Sequence, residues 1–236
     1  MLSQQQDPTN GKKRIMNHIE TLKKNHLYYR VESGHTKRFK PWLGDSVSFL
    51  YDFIMKYSIF PKKLEADMVR HHQILHRELR DIHGKRVLEL ATGSGSAAHF
   101  LPNDNRYTGT DISPGLLRKS VKRFSSAGFK EADFYVTSAD DLPFEDNRFS
   151  VCLCILSLNF FDNVKIVFQE AKRVLIPGSV FIGSVPVPER KRSQITIRGT
   201  LYSEAALESI CRTQGFIFES IPFKNGALLY FKAVLV

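Results

Sequence analysis

An apolar run tipped by an acid and broken by glycines constrains this chain more than any other feature. Val87-Leu88-Glu89-Leu90-Ala91-Thr92-Gly93-Ser94-Gly95-Ser96 reads as a buried strand, a Gly-x-Gly turn and a helix start continued by Ala97, Ala98, Phe100 and Leu101. With no Cβ at the turn, the backbone can come close to a nucleotide-like ligand. Sixteen residues beyond Gly95, Tyr107-Thr108-Gly109-Thr110-Asp111 makes a second strand ending in a carboxylate. That spacing suits an acid bonded to the two ribose hydroxyls of a bound adenosine.

From Lys85 onward, strand and helix patterns alternate. Strands are expected at 86–91, 106–110, 132–137, 150–156, 179–185, 216–221 and 227–235. Helices are expected near 95–101, from Ser113-Pro114 to Ser125, over 163–174, and from a Ser203 cap to Arg212. The near-continuous apolar run at 150–156 implies a strand buried on both faces. Pro222 and Asn225-Gly226 separate the last two strands, which read as an antiparallel edge pair. The expected fold is α/β: a Rossmann-like, seven-stranded, mostly parallel sheet with that C-terminal pair and an N-terminal helical extension.

The extension, residues 1–84, is read as a basic tail and cap before a Rossmann-like domain at 85–236. Residues 1–11 are polar and expected to be disordered. Residues 12–30 read as a basic amphipathic helix with Ile15, Ile19, Leu22 and His26 on one face. Residues 31–45 read as irregular. Aromatic-rich 45–60 reads as a helix over an apolar pocket, and Pro61 is expected to open a long helix reaching about Ile82.

The 236 residues, 42% of them hydrophobic, are enough for one such domain with a sizeable core. No apolar run approaches the ~18 residues of a membrane span. The start, Met1-Leu2-Ser3-Gln4-Gln5-Gln6-Asp7-Pro8, lacks a signal-peptide apolar region. Cys152, Cys154 and Cys211 sit in apolar or helical contexts and read as reduced core thiols, which with the polar start points to a cytoplasmic protein. Cys152-x-Cys154 has the strand period, which argues against zinc. His72 and His76 stand at i, i+4 but have no third ligand in view, so they read as a solvated helix face and no metal is expected.

Net charge is +10, and over half of the excess lies in residues 1–40, with nine Lys/Arg against three acids. A charge run of this density reads first as a solvated face. It leaves nucleic acid open, though not favoured, and also leaves open peripheral contact with an anionic membrane. Oligomeric state is not legible.

Four blocks resemble the class I S-adenosylmethionine-dependent methyltransferases, most of all the family typified by the ubiquinone and menaquinone biosynthesis enzymes. Val87 to Gly95 is similar to that family's first motif, and Asp111 to its ribose-binding acid. Ser138-Ala139-Asp140-Asp141-Leu142-Pro143-Phe144-Glu145-Asp146-Asn147-Arg148-Phe149-Ser150 resembles its Asp-Ala-x-x-Leu-Pro-Phe-x-Asp-x-x-Phe-Asp block. Glu170 to Gly178 resembles the helix and turn before its fifth strand. The chain departs from the pattern at Ala91, where a glycine is usual and a negative φ is needed for a side chain to be tolerated. It also departs at Ser138 and Ser150, where acids are usual, and at Ser179, where a glycine is usual.

The resemblance implies S-adenosyl-L-methionine as cofactor and methyl transfer to a small, partly hydrophobic acceptor in one in-line displacement. Its cofactor contacts carry over to Glu89, Ala91, Thr92, Gly93, Ser94, Gly95, Asp111, Ile112, Ser138, Ala139, Asp140, Ile155 and Leu156. Glu89 reads two compatible ways: it faces the cofactor's amino group, or it organises the glycine turn by accepting backbone N–H bonds. Ile112 and Ser138-Ala139 are expected against the adenine. No catalytic base is assigned; Tyr28, Tyr29, His35 and Tyr51 are candidates in the extension. Leu156-Ser157-Leu158-Asn159-Phe160-Phe161 stands where DNA adenine methyltransferases carry Asn/Asp-Pro-Pro-Tyr, and reads as an apolar wall for the acceptor. No Pro-Cys nucleophile occurs for cytosine C5 chemistry.

Three rival readings remain. Gly93-x-Gly95-x-x-Ala98 with Asp111 also satisfies the dinucleotide fingerprint of a nicotinamide-dependent oxidoreductase. The basic extension motivates an RNA acceptor. The substitutions at Ala91, Ser138 and Ser150 motivate a degenerate, non-catalytic methyltransferase fold serving as a binding module.

Overall fold

The computed structural model describes residues 13–16, 19–37, 39 and 50–236. The expected disorder at 1–11, and the irregular reading where it covers 41–45, fall outside the described residues. An eleven-stranded sheet dominates the fold. Among the described residues four strands precede the glycine turn: β1 (Lys13–Met16), β2 (Ile19–Lys24), β3 (Leu27–Glu32) and β4 (His35–Thr36). Seven follow: β5 (Arg86–Glu89), β6 (Arg106–Asp111), β7 (Ala132–Val136), β8 (Phe149–Ile155), β9 (Leu175–Pro186), β10 (Phe216–Asn225) and β11 (Leu228–Leu235). Their spatial order is β1-β2-β3-β7-β6-β5-β8-β9-β11-β10, with β4 paired to β3.

The strands from β7 through β9 are parallel, and β11 and β10 close the edge antiparallel. The chain lays β5, β6 and β7 outward in one direction, then returns to place β8 and β9 on the other side of β5. That reversal opens a crevice at the carboxyl ends of β5 and β8.

Helices α1 (Tyr51–Ile54), α2 (Met68–Leu79), α3 (Pro114–Ser126), α4 (Val164–Val174) and α5 (Glu204–Thr213) cover the sheet. α2 and α3 pack one face through Leu75, Leu79, Leu117 and Phe124; α4 and α5 pack the other through Val167, Phe168, Leu207 and Cys211. β8 serves both faces. Val151 and Leu153 join the first core, and Cys152 and Cys154 the second, so its unbroken apolar run reflects burial on two sides. The caps read from sequence are present: Ser113 accepts from the Leu116 amide at 3.2 Å, and Ser203 from the Ala206 amide at 3.1 Å.

The extension differs from the sequence reading. Residues 12–30 were expected to form an amphipathic helix, but the described part of that stretch is strand. β2 and β3 form a hairpin whose two-residue turn, Asn25 and His26, has φ of 49° and 65°. Both left-handed turn residues suit a tight hairpin, whose twist matches its strands. β3 then adds to β7 in parallel, pairing Leu27 with Phe134, Tyr28 with Tyr135 and Tyr29 with Val136. The sheet therefore runs on beyond the seven expected strands.

Pro61 does not open a helix either. It lies within a wide π-helical turn, Met55–Lys63, that continues α1. The long helix starts at Met68, where the Asp67 side chain caps the Arg70 amide at 2.8 Å, and it ends at Leu79. Asp67 is the better start signal, because its carboxylate satisfies an orphan amide that proline merely lacks.

Candidate functional site

Two adjoining cavities sit at the carboxyl ends of the central strands, sharing Ala91, Gly93, Leu156 and Ser157 as a common wall. The first, of about 370 Å³, is lined by Asp111, Ile112, Ser138, Ala139 and Asp140 on one side and by Phe160, Phe161 and Val167 on the other. The second, of about 230 Å³, runs from the shared wall under α1 and α2. Glu89, Thr92, Ser94 and Ile155 line one side of it, and Met55, Phe60, Met68, His71 and Phe100 the other.

Asp111 ends β6 facing the first cavity. One carboxylate oxygen accepts the Gly93 amide at 2.9 Å and the other the Ser113 amide at 2.8 Å. The acid thus ties the glycine turn to the start of α3. Ile112 beside it is 37% exposed, an apolar surface available for stacking.

Glu89 is 2% exposed at the end of β5. Its Oε2 accepts from Thr92 Oγ1 at 2.8 Å and from the Tyr107 hydroxyl. It organises the turn, as one reading held, but through these two side-chain donors instead of backbone amides. Burial raises its pKa to about 7; the hydrogen bonds from Tyr107 and Thr92 oppose the rise, and Asp111 adds to it.

Of the thirteen residues carried over as cofactor contacts, every one except Gly95 lines one of the two cavities. Gly95 serves packing: at φ +80°, a Cβ there would meet Ser120 Oγ at 2.8 Å and Ser120 Cα at 2.9 Å. That lets the turn lie against α3, where Ser120 Oγ donates to the Gly93 carbonyl at 2.7 Å. Ala91 departs from the expected negative φ and stands at +50°. Leu156, across the shared wall, stands at +60°. Two non-glycine residues held in the left-handed region at one wall store local strain where two strand ends meet.

Of the candidate bases, Tyr28, Tyr29 and His35 line neither cavity. Tyr28 stacks on Tyr135 with ring centroids 4.6 Å apart and accepts from Lys23 Nζ at 3.1 Å. Tyr29 packs into the core and His35 lies on β4. The Tyr51 side chain lies outside the described residues. His72 and His76 are exposed, and among the described residues no group of histidine, cysteine and acidic side chains could hold a metal.

The sequence reading set a helix over an apolar pocket at 45–60 but missed the polar contacts that α1 makes with the glycine turn. Asp52 binds the glycine turn, accepting from Ser94 Oγ at 2.7 Å and pairing with Arg123 Nη2 at 2.9 Å. Partial burial opposes ionisation, but Ser94, Arg123 and Lys119 together outweigh it and lower the pKa of Asp52. His71 was missed as well; its buried place among Ile74, Leu75 and Leu79 was its only sequence signal.

Comparisons with known proteins agree with this geometry. The family described as "Methyltransferase domain" matches residues 88–183. A probable phthiotriol/phenolphthiotriol dimycocerosates methyltransferase 2 of Mycobacterium ulcerans is 34% identical over 116 residues, covering 47% of this chain and 44% of that protein. A ubiquinone/menaquinone biosynthesis C-methyltransferase of Desulfotalea psychrophila is 31% identical over 140 residues, covering 57% and 56%. The chain thus spans about half the length of these relatives. A SAM-dependent methyltransferase from Aquifex aeolicus shares the fold, with a TM-score of 0.61 at 14% identity, covering 80% of this chain and 98% of that one. The four sequence blocks, the strand order with its antiparallel close and the matched segment agree: residues 88–183 belong to a class I S-adenosylmethionine-dependent methyltransferase domain.

Proposed function

We propose that the protein transfers a methyl group from S-adenosyl-L-methionine to a small, partly hydrophobic acceptor by in-line displacement. The observation that carries this is the pair of cavities meeting at one wall, the first bearing Asp111 and the second bordered by Met55, Phe60, Met68 and Phe100. The cofactor, when bound, supplies a methyl group on a positively charged sulfur. Asp111 would accept from the ribose hydroxyls, with Ile112, Ser138, Ala139 and Asp140 around the adenine. Gly93, Ala91, Thr92 and Ser94 would hold the amino-acid end, with Glu89, Ile155 and Leu156 beside it.

The chain's contribution is alignment and exclusion of water. Holding nucleophile and methyl in line can supply ~7–11 kcal/mol through proximity alone. In this reading residues 85–236 hold the cofactor, and the segment before residue 85 closes the second cavity. The relatives' names refer to dimycocerosates and to ubiquinone and menaquinone biosynthesis, which fits an apolar acceptor. Among the described residues no helix is long and apolar enough to cross a membrane. Cys152, Cys154 and Cys211 are buried and unpaired, which fits a reducing compartment, taken here as the cytoplasm.

Calorimetry with S-adenosylhomocysteine tests the reading. Micromolar binding is expected, weakened about tenfold in Ile112→Ala, roughly the loss of one apolar contact. Absence of binding at millimolar ligand, or saturable NADH binding in its place, overturns it.

A further inference from the structure

Three histidines lie on α2, and only His71 falls on its buried stripe, with Ile74, Leu75 and Leu79. Its ring forms part of the second cavity's wall, among Phe60, Met68 and Leu75. A polar chain behind the ring fixes where its proton sits. Asn225 pairs with both peptide groups of Asp67: the Asp67 amide donates to Oδ1 at 2.8 Å, and Nδ2 donates to the Asp67 carbonyl at 3.0 Å. That double pairing orients the side-chain amide, so Nδ2 faces Tyr230 and donates to its hydroxyl at 3.1 Å. Among the described residues the hydroxyl's own proton has one acceptor within reach, His71 Nδ1 at 2.9 Å. A proton on Nδ1 would leave the buried Tyr230 O–H without an acceptor. Nδ1 therefore accepts, and Nε2 carries the ring's hydrogen. Among the described residues Nε2 has no hydrogen-bond partner.

We propose that His71 is the acceptor-recognition residue of this site, its Nε2–H donating to an uncharged oxygen, a carbonyl or hydroxyl, on an otherwise apolar substrate. The inference rests on the methyl-transfer reading and names the substrate class for it. A charged carboxylate fits poorly beside the ring itself. Phe60, Met68 and Leu75 flank it in the cavity wall, and the guanidinium there, Arg123, is held by Asp52 at 2.9 Å. The ring also stays neutral: burial, then repulsion from His72, lowers its pKa to about 3. His72 and His99 are the other titratable rings at this end of the cavity. With Nδ1 occupied and Nε2 already protonated, His71 orients an oxygen and does not remove a proton.

The test uses the full chain and two probes of one shape: 1-tetralone, a ketone that can only accept, and tetralin, its hydrocarbon counterpart. Side-chain ¹⁵N spectra are expected to show His71 as the Nε2–H tautomer, unchanged from pH 5 to 8. The ketone is expected to bind at least tenfold tighter than the hydrocarbon. That preference should fall below threefold in His71→Phe and persist in His71→Gln, whose amide still donates. S-adenosylhomocysteine affinity should not change in either variant. An Nδ1–H tautomer, equal affinity for the two probes or no binding of either overturns the proposal even if neither variant folds. A His71→Phe variant that loses S-adenosylhomocysteine affinity and keeps the ketone preference overturns it too, assigning the ring to the cofactor. Failure of the methyl-transfer reading looks different: the ketone preference persists while S-adenosylhomocysteine does not bind.

Discussion

Glu89 shows how a buried acid can hold a turn together at a cost in stability. Its folded pKa stands near 7 because burial removes water that no cation replaces. A carboxyl with a raised pKa binds its proton more tightly folded than unfolded, so the folded state gains as pH falls. That contribution is fully present below about pH 4.5 and is lost as pH rises through about 7. Glu89→Gln keeps an acceptor for Thr92 and Tyr107 and cannot ionise. Wild-type stability measured against this variant is expected to decline by roughly 2–3 kcal/mol between pH 5 and pH 8. Urea melts of both proteins across that range check it, and parallel curves would refute it. The sequence showed the acid at the strand tip, because carboxylates are rare in apolar runs. It did not show Tyr107 as the partner, because their pairing comes from the register that sets Val87 opposite Tyr107 and Glu89 opposite Gly109 in the sheet. His71 was hidden differently. Its phase with Ile74 and Leu75 placed it inward, but nothing local distinguishes a packed ring from one at a cavity wall.

At the scale of elements, two of the sequence blocks explain each other. Arg173 on α4 donates to both Glu170 oxygens, to the Phe144 carbonyl at 2.6 Å, to the Leu142 carbonyl at 3.0 Å and to Asp146 at 2.8 Å. Glu170 in turn accepts the Leu142 amide at 2.8 Å. The Leu-Pro-Phe loop, which follows the first cavity's Ser138, Ala139 and Asp140, is therefore pinned to the helix before β9. Arg173→Ala removes the donor shared by two carbonyls and two carboxylates, so a loss of about 2–3 kcal/mol in urea unfolding is expected. Arg173→Lys should recover only part of it, because an ammonium cannot span the fork; full recovery would show that charge alone matters. Spacing made these blocks visible, and their mutual bonding needed coordinates. The β2–β3 hairpin was misread for a related reason. Ile15, Ile19, Leu22 and His26 fit a helical period by chance, while Tyr28, Tyr29 and Val31 carried strand propensity that the reading passed over. What fixes β3 is its parallel pairing with β7, more than a hundred residues away. Arg30 adds an ion pair to Asp141, so the hairpin also holds the loop at the first cavity.

For the whole molecule, the seven strands from β5 onward were legible because buried parallel strands and amphipathic helices write opposite periods into the chain. The crevice followed from their order, since a doubly wound sheet opens where its winding reverses. The extension was less legible because it has no core of its own: β3 closes the β7 edge, which would otherwise offer unpaired backbone groups. Phe60, Leu64 and Ile74 likewise pack against Ile221, Leu228 and Tyr230 of the C-terminal hairpin. An extension tied into both ends of one sheet should melt with it. Ligand linkage can test this. At a hundredfold excess over its dissociation constant, a ligand that binds only the folded state adds about 2.7 kcal/mol. For a chain of 236 residues, that corresponds to a rise in Tm of roughly 5–10 °C. S-adenosylhomocysteine at that excess is expected to shift one transition, reported alike by far-ultraviolet dichroism and by a fluorophore on the β2–β3 turn. A turn signal that melts earlier and ignores the ligand would show that the hairpin is an independent appendage, leaving the β7 edge guarded only loosely.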